Sequence, residues 1–140
     1  MTYSKEIARE LILDHLENPR QKVKKDYPHY TLKNPACGDV ITVYVLVENK
    51  KIIDLTYQVD GCSITKAAAS MISEILIGKT LAEVKKINNN FSQMLISEQF
   101  DQELLGQLNS FYGVKDTPPR IKCATLPLKA TLKVIGDLND

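Results

Sequence analysis

The stretch VITVYVLVENKKIIDLTYQVDG, residues 40–61, decides the fold. It contains two runs, Val40 to Val47 and Ile52 to Val59, whose side chains alternate with the period of two that is typical of a β-strand. The polar link from Glu48 to Lys51 is short enough for an antiparallel hairpin. A shorter run upstream, Tyr30 to Asn34, predicts another strand. The sequence therefore predicts a small antiparallel sheet of three strands.

Helices are predicted on both sides of this hairpin in the sequence. Apolar side chains recur at intervals of three and four residues in four segments, which predict helices over Tyr3 to Glu17, Ser63 to Ile77, Leu81 to Ile87 and Thr125 to Leu138. Ser4 is placed to cap the first helix. Asn88–Asn90 is expected to end the third helix, and residues 91–114 are expected to be helical in pieces. Asp116–Pro119 reads as a loop, and Pro127 falls in the first turn of the predicted last helix, where proline is tolerated.

The order of helix, strands and then helices predicts an α+β fold, with the helices packed mainly on one face of the three-stranded antiparallel sheet. The chain has 140 residues, which fits one domain spanning 1–140. No internal repeat or linker divides it.

Composition excludes several classes of function. The net charge is +1, so the chain lacks the basic footprint of a nucleic-acid-binding protein. No apolar run approaches the roughly 20 residues that span a bilayer, so no membrane association is expected. The N-terminus lacks the pattern of a signal peptide, which predicts a cytoplasmic protein. In that reducing compartment, cysteines are more often metal ligands, reactive groups or buried side chains than disulfides.

The three cysteines lie at distinctive places. Cys37 is in a loop bounded by proline and glycine, Cys62 lies between a strand and a helix, and Cys123 precedes the predicted last helix. A helix N-terminus stabilises a thiolate, which is both the nucleophile and the metal ligand. Arg120 and Lys122 would add positive charge beside Cys123 and support negative charge that develops on sulfur. These surroundings favour a role for the cysteines as nucleophiles or metal ligands.

The spacing of the cysteines matches no CxxC knuckle, so spacing alone also allows three unrelated cysteines buried as small hydrophobic side chains. Asp39 is the fourth candidate, because Gly38 lets the chain bend so that Cys37 and Asp39 reach one point. Three thiolates and one carboxylate would complete a tetrahedral zinc shell. Alternatively, Asp39 is a turn residue that caps its own backbone.

Three ordered strings resemble a known family: NPACGD at 34–39, DGCSI at 60–64 and RIKCATLP at 120–127. Together they resemble the iron–sulfur cluster scaffold family called IscU or NifU N-terminal domain, and the likeness runs over nearly the whole chain. Lys122 stands where the standard scaffold has histidine, and the stretch around residues 90–115 is longer than in that scaffold. Both departures resemble the SufU branch of zinc-dependent sulfurtransferases. Thr117–Ile121 also departs from the segment that a dedicated chaperone recognises in the standard scaffold.

The resemblance implies a zinc ion held by Cys37, Asp39, Cys62 and Cys123. It also implies a pyridoxal-phosphate cysteine desulfurase as partner, with Cys37 accepting persulfide sulfur and passing it to downstream cluster-assembly proteins. The chain would then be an accessory sulfurtransferase to the desulfurase rather than a stand-alone enzyme. A loop cysteine is also the one best able to move.

Two alternatives stay open at this point. Thiolates suit iron as well as zinc, so the same four residues would also hold a transient iron–sulfur cluster on a scaffold. Lys122 favours sulfur transfer, because lysine is a poorer cluster ligand than histidine at neutral pH. An alternative of another class is a non-catalytic binding module that zinc merely stabilises.

Overall fold

The computed structural model describes residues 4–17, 26–34, 38–97 and 99–138. In chain order its elements are α1 (Lys5–Glu17), β1 (His29–Asn34), β2 (Asp39–Glu48), β3 (Lys51–Asp60), α2 (Ser63–Leu76), α3 (Leu81–Ile96), α4 (Gln102–Leu105), a 3₁₀ segment (Gly106–Asp116) and α5 (Pro118–Leu138). The strands form one antiparallel sheet in the order β1-β2-β3. The predicted α+β fold is confirmed.

The hairpin turn explains why β2 and β3 pair as they do. Asn49 and Lys50 both have a positive φ, 53° and 60°. Two consecutive left-handed residues give the backbone twist that matches the right-handed twist of flanking strands. Glu48 therefore pairs with Lys51 at the turn, and Val40 pairs with Asp60 at the far end of the hairpin. That far end brings the start of β2 beside the end of β3.

The core lies between the sheet and the helices. Ile41, Val43 and Val45 on β2 are fully buried on the face that the helices cover. Helix α5 packs against β1 and β2, and α2 packs against β3, while α1 contacts α2 and the 3₁₀ segment. The helices are thus layered on one face of the sheet. No helix in the described part of the chain is both long and apolar enough to span a bilayer.

The predicted break at Asn88–Asn90 is wrong, because α3 continues to Ile96. A capping box formed by Thr80 and Glu83 starts this helix. Ile87, Phe91 and Met94 are completely buried, so the apolar stripe continues past the asparagines. Burial of that stripe outweighs the weak helix propensity of three asparagines.

The predicted start of the last helix at Thr125 is also wrong. Helix α5 begins at Pro118, so Pro118 and Pro119 form its first turn rather than a loop. Proline suits this position because its missing N–H would have no helical acceptor there. Two consequences follow: Cys123 lies inside the helix instead of before it, and Pro127 lies in the helix interior rather than the first turn.

Candidate metal centre

Asp39 occupies the first position of β2 and is 1% exposed. Gly38 before it has φ 73°, a left-handed conformation that favours glycine. The Asp39 carboxylate lies directly over Gly61, where an added Cβ would stand 2.8 Å from the carboxylate carbon and overlap one of its oxygens. Gly61 therefore makes room for the carboxylate, and the adjacent Cys62 N–H donates to Asp39 Oδ1 at 2.9 Å.

Cys62 is the N-cap residue of α2, with its side chain half-buried. Its Sγ atom lies 3.9 Å from Asp39 Oδ2 and 3.4 Å from Thr65 Oγ1. Thr65 is fully buried, and its hydroxyl donates to Asp39 Oδ2 at 2.8 Å. The start of β2 and the N-terminus of α2 therefore hold one carboxylate and one thiol beside each other.

Cys123 reaches the same point from α5. It is 1% exposed, and its Sγ lies 3.8 Å from the carbonyl oxygen of Pro119 one turn earlier. The ligand atoms of Asp39, Cys62 and Cys123 all lie within 4.8 Å of one another. The structure thus brings together three of the four predicted ligands, from three separate elements. Cys37 lies outside the described residues, so its place in the site stays a prediction.

The donor set fits a thiophilic divalent metal. Two sulfurs bound tetrahedrally to one zinc ion at ~2.3 Å stand about 3.8 Å apart, which the spacing of this cluster accommodates. Two thiolates and one carboxylate would occupy three tetrahedral positions and leave one for a further ligand. The same donors suit iron, so the geometry fits either metal.

The surroundings of Cys62 favour its thiolate. Burial raises the pKa of the Cys62 thiol, and the negative charge of Asp39 adds to that effect. Hydrogen bonds with the Thr65 hydroxyl, the Thr65 amide and the Cys123 thiol act in the opposite direction and prevail. The net result is a pKa below the ordinary value of a cysteine, as a ligand or nucleophile requires.

Arg120 and Lys122 lie in the first two turns of α5 and are exposed. Arg120 lines a cleft of about 320 Å³ together with Ser63, the residue that follows Cys62. The cleft therefore places one cation beside the N-terminus of α2. An electrostatic role of Arg120 and Lys122 in sulfur chemistry stays a prediction.

Thr65 is a site residue that sequence reasoning missed. It lies three positions after Cys62 on α2, and residues three apart on a helix are neighbours. A threonine at that spacing from a helix-capping cysteine is a usable signal. Its partner Asp39 is 26 residues away in the chain, however, so only the fold shows what the hydroxyl does.

Comparison with known proteins agrees with this site. The family described as NifU-like N terminal domain matches residues 7–124. The chain belongs to this family of iron–sulfur cluster assembly proteins, which confirms the resemblance seen in the sequence.

Two relatives of similar identity carry different names, one a sulfurtransferase and the other a cluster assembly scaffold. The chain is 36% identical over 132 residues to the zinc-dependent sulfurtransferase SufU of Bacillus subtilis (strain 168), covering 93% of this chain and 90% of that protein. It is 34% identical over 127 residues to the iron–sulfur cluster assembly scaffold protein IscU of Streptococcus pyogenes serotype M1, covering 89% and 80%. Identities this close do not separate the two roles.

Solved structures share the fold. A crystal structure of a putative scaffold protein for the SUF system from Fervidobacterium islandicum AW-1 has a TM-score of 0.83, at 32% identity, and covers 95% of this chain and 96% of that one. The N-terminal part of a NifU-like protein from Brucella abortus has a TM-score of 0.84 at 20% identity, covering 97% and 98%. The second likeness shows that the fold persists when most of the sequence differs.

Proposed function

We propose that this chain is a sulfur acceptor of iron–sulfur cluster assembly. Cys37 takes persulfide sulfur from a pyridoxal-phosphate cysteine desulfurase and passes it to downstream assembly proteins. The observation that carries the proposal is the convergence of Asp39, Cys62 and Cys123 on one point beside the strand that Cys37 precedes. The named activity of the Bacillus relative supports the same reading.

Zinc is the resident metal in this proposal, with Cys37 as the fourth ligand to the site. When bound, zinc keeps its sulfur ligands deprotonated and ties together the start of β2, α2 and α5. Thr65 holds the Asp39 carboxylate, and Gly61 leaves the space that this carboxylate needs. Asp39, Cys62 and Cys123 are the fixed side of the site, because Asp39 begins β2, Cys62 caps α2 and Cys123 lies within α5.

Sulfur transfer needs only a thiolate and a persulfide. The Cys37 thiolate attacks the terminal sulfur of the desulfurase persulfide and forms a new S–S bond. The S–S bond within the desulfurase persulfide breaks, and its electron pair leaves on the desulfurase cysteine as a thiolate. No external oxidant or reductant is consumed. Arg120 and Lys122 stabilise the negative charge that moves between the sulfurs.

Lys122 favours transfer over a stably held cluster. Lysine is a poorer ligand for iron than the histidine that the standard scaffold carries at this position. A cluster held by the same cysteines and Asp39 is the alternative role, and the IscU relative supports it.

Protein purified without oxygen tests the choice between these roles. Zinc near one per chain without acid-labile sulfide is expected, and iron with matching labile sulfide would establish the scaffold role instead. Desulfurase turnover should rise when the protein is added. Mass spectrometry after turnover should find one additional sulfur atom on the peptide that contains Cys37.

A neighbouring substitution gives the matched control. Cys37→Ser should abolish both the stimulation and the added sulfur, whereas Ala36→Ser should keep both. If the wild-type protein binds zinc but neither stimulates the desulfurase nor carries persulfide, the transfer role is wrong. The chain would then be the non-catalytic zinc-stabilised binding module.

A further inference from the structure

A cleft of about 500 Å³ lies between α1 and the 3₁₀ segment. The metal-centre residues Asp39, Cys62 and Cys123 do not line it, so it is separate from the site described above. Its volume falls within the range of small-molecule sites. Most of its wall is apolar and is formed by Ala8, Ile12, Leu13, Tyr112 and Val114.

Two cations border this cleft. Lys5 and Arg9 are exposed and lie one helical turn apart on α1, on the side that faces the 3₁₀ segment. Neither side chain has a hydrogen bond or ion pair among the described residues. Like charges at this spacing destabilise a helix, and an anion between them relieves the repulsion. Among the described lining residues Asp116 is the single acidic one, so the border is net positive.

The cleft wall also contains an unpartnered polar atom. Asn109 is 4% exposed, and its amide nitrogen donates to the carbonyls of Gln102 and Gly106 at 2.7 and 2.9 Å. Those two bonds fix which end of the amide is nitrogen. Oδ1 is therefore a buried acceptor, and it has no hydrogen-bond partner in the described part of the chain. Because Oδ1 is buried and only accepts hydrogen bonds, it offers nothing to a carboxylate, and the charged border and the apolar wall alone select the ligand.

We propose that this cleft binds a small anionic amphiphile: a carboxylate joined to an aliphatic or aromatic body. The carboxylate lies at Lys5 and Arg9, and the apolar body lies along Ile12 and Val114. The positive border favours a negatively charged group on the ligand. The apolar wall favours an apolar group next to it, since burial of both surfaces is favourable. Gly113 and Val114 also line the cleft that contains Arg120 and Ser63, so the ligand touches a segment that also faces the N-terminus of α2.

Decanoate is a suitable probe, with decylamine as the partner of opposite charge and equal chain length. Each is titrated into the full-length, metal-loaded protein and followed by calorimetry and by amide NMR. Decanoate should saturate one site and shift the amides of Ala8, Ile12, Gly113 and Val114. Decylamine should bind at least about tenfold more weakly, a difference of roughly 1.4 kcal/mol.

Charge variants identify the cations. Lys5→Gln combined with Arg9→Gln should weaken decanoate about tenfold, because two exposed charge contacts are lost. Lys85→Gln combined with Lys86→Gln removes the same charge from exposed positions on α3, outside the cleft, and should leave the affinity unchanged. Equal weakening by both double variants would overturn the assignment, since it would show only a dependence on net charge.

A side chain that fills the cleft gives an independent test. Ala8→Leu should reduce decanoate binding, and Ala82→Leu, on an exposed position of α3, should not. Saturation absent up to millimolar decanoate, or decylamine binding as tightly as decanoate, would overturn the proposal. A concentration-dependent dimer that decanoate dissociates would also overturn it, because the occupant would then be a second copy of the chain.

Discussion

Cys62 and Cys123 bring sulfur to the same point from different positions in their helices. Cys62 is the N-cap of α2, half-buried, with its own N–H donating to Asp39. Cys123 lies inside α5, 1% exposed, with its sulfur against the carbonyl of Pro119. A helix N-terminus favours a thiolate, whereas a carbonyl oxygen repels one. The two cysteines are therefore unequal before any metal binds.

The largest expected effect comes from displacing the Asp39 carboxylate, which accepts a hydrogen bond from the Cys62 N–H. Gly61→Ala places a methyl group on the Asp39 carboxylate, so that Asp39 must move. We expect a loss of about 1–3 kcal/mol in the free energy of unfolding, together with loss of zinc binding. Urea denaturation and a zinc competition titration measure the two effects.

Gly136→Ala is the control for this substitution. Gly136 lies in α5, and an added Cβ there meets nothing within 4 Å. Alanine should stabilise the helix at this position by up to about 1 kcal/mol and leave zinc binding intact. If Gly61→Ala bound zinc with normal affinity, Asp39 would not be a zinc ligand whose position depends on Gly61.

A smaller effect on zinc binding is expected at Thr65, which contacts both Asp39 and Cys62. Thr65→Val keeps the shape of the side chain but removes the hydroxyl that donates to Asp39 Oδ2. We expect a loss of about 1–3 kcal/mol in the free energy of unfolding of the metal-free protein, since a buried carboxylate oxygen loses its donor. Chemical denaturation at neutral pH measures it.

Thr65→Ser is the matched variant, because it retains the hydroxyl and removes only a methyl group. It should keep the affinity for zinc, whereas Thr65→Val should weaken it. Equal zinc affinities in the two variants would mean that Thr65 only fills space beside the site.

The sequence predicted one of these cysteines better than the other, for a physical reason. The alternating runs of the hairpin fix where β2 begins and β3 ends, so the meeting of Asp39 and Cys62 follows from local pattern. The position of Cys123 does not, because Pro118 and Pro119 look like a loop yet are also allowed in the first turn of a helix.

The extension of α3 was missed for a related reason. Three successive asparagines predict an end to the helix from propensity alone. The buried side chains of Phe91 and Met94 decide otherwise, and their burial depends on the helices around them. Thr65 shows the same limit, since its partner belongs to a strand 26 residues earlier.

The smallest expected effect is a difference in thiol reactivity in the metal-free protein. The pKa of Cys62 lies below its ordinary value, so deprotonation favours the folded state. This contribution to stability is fully present above the pKa of the unfolded chain and is lost as the pH falls through the folded value. Alkylation of Cys62 should accordingly begin at a lower pH than that of an unfolded thiol.

Cys123 should react more slowly than Cys62 at every pH in the folded protein, because it is buried and faces a carbonyl oxygen. Iodoacetamide labelling with peptide mass spectrometry follows each cysteine separately, and labelling in urea provides the control in which the two rates should converge. If Cys123 reacted as fast as Cys62 in the folded state, the inequality drawn from their helix positions would be wrong. If Cys62 is the faster of the two, its exposure and its place at the helix N-terminus distinguish the two sulfurs before metal binds.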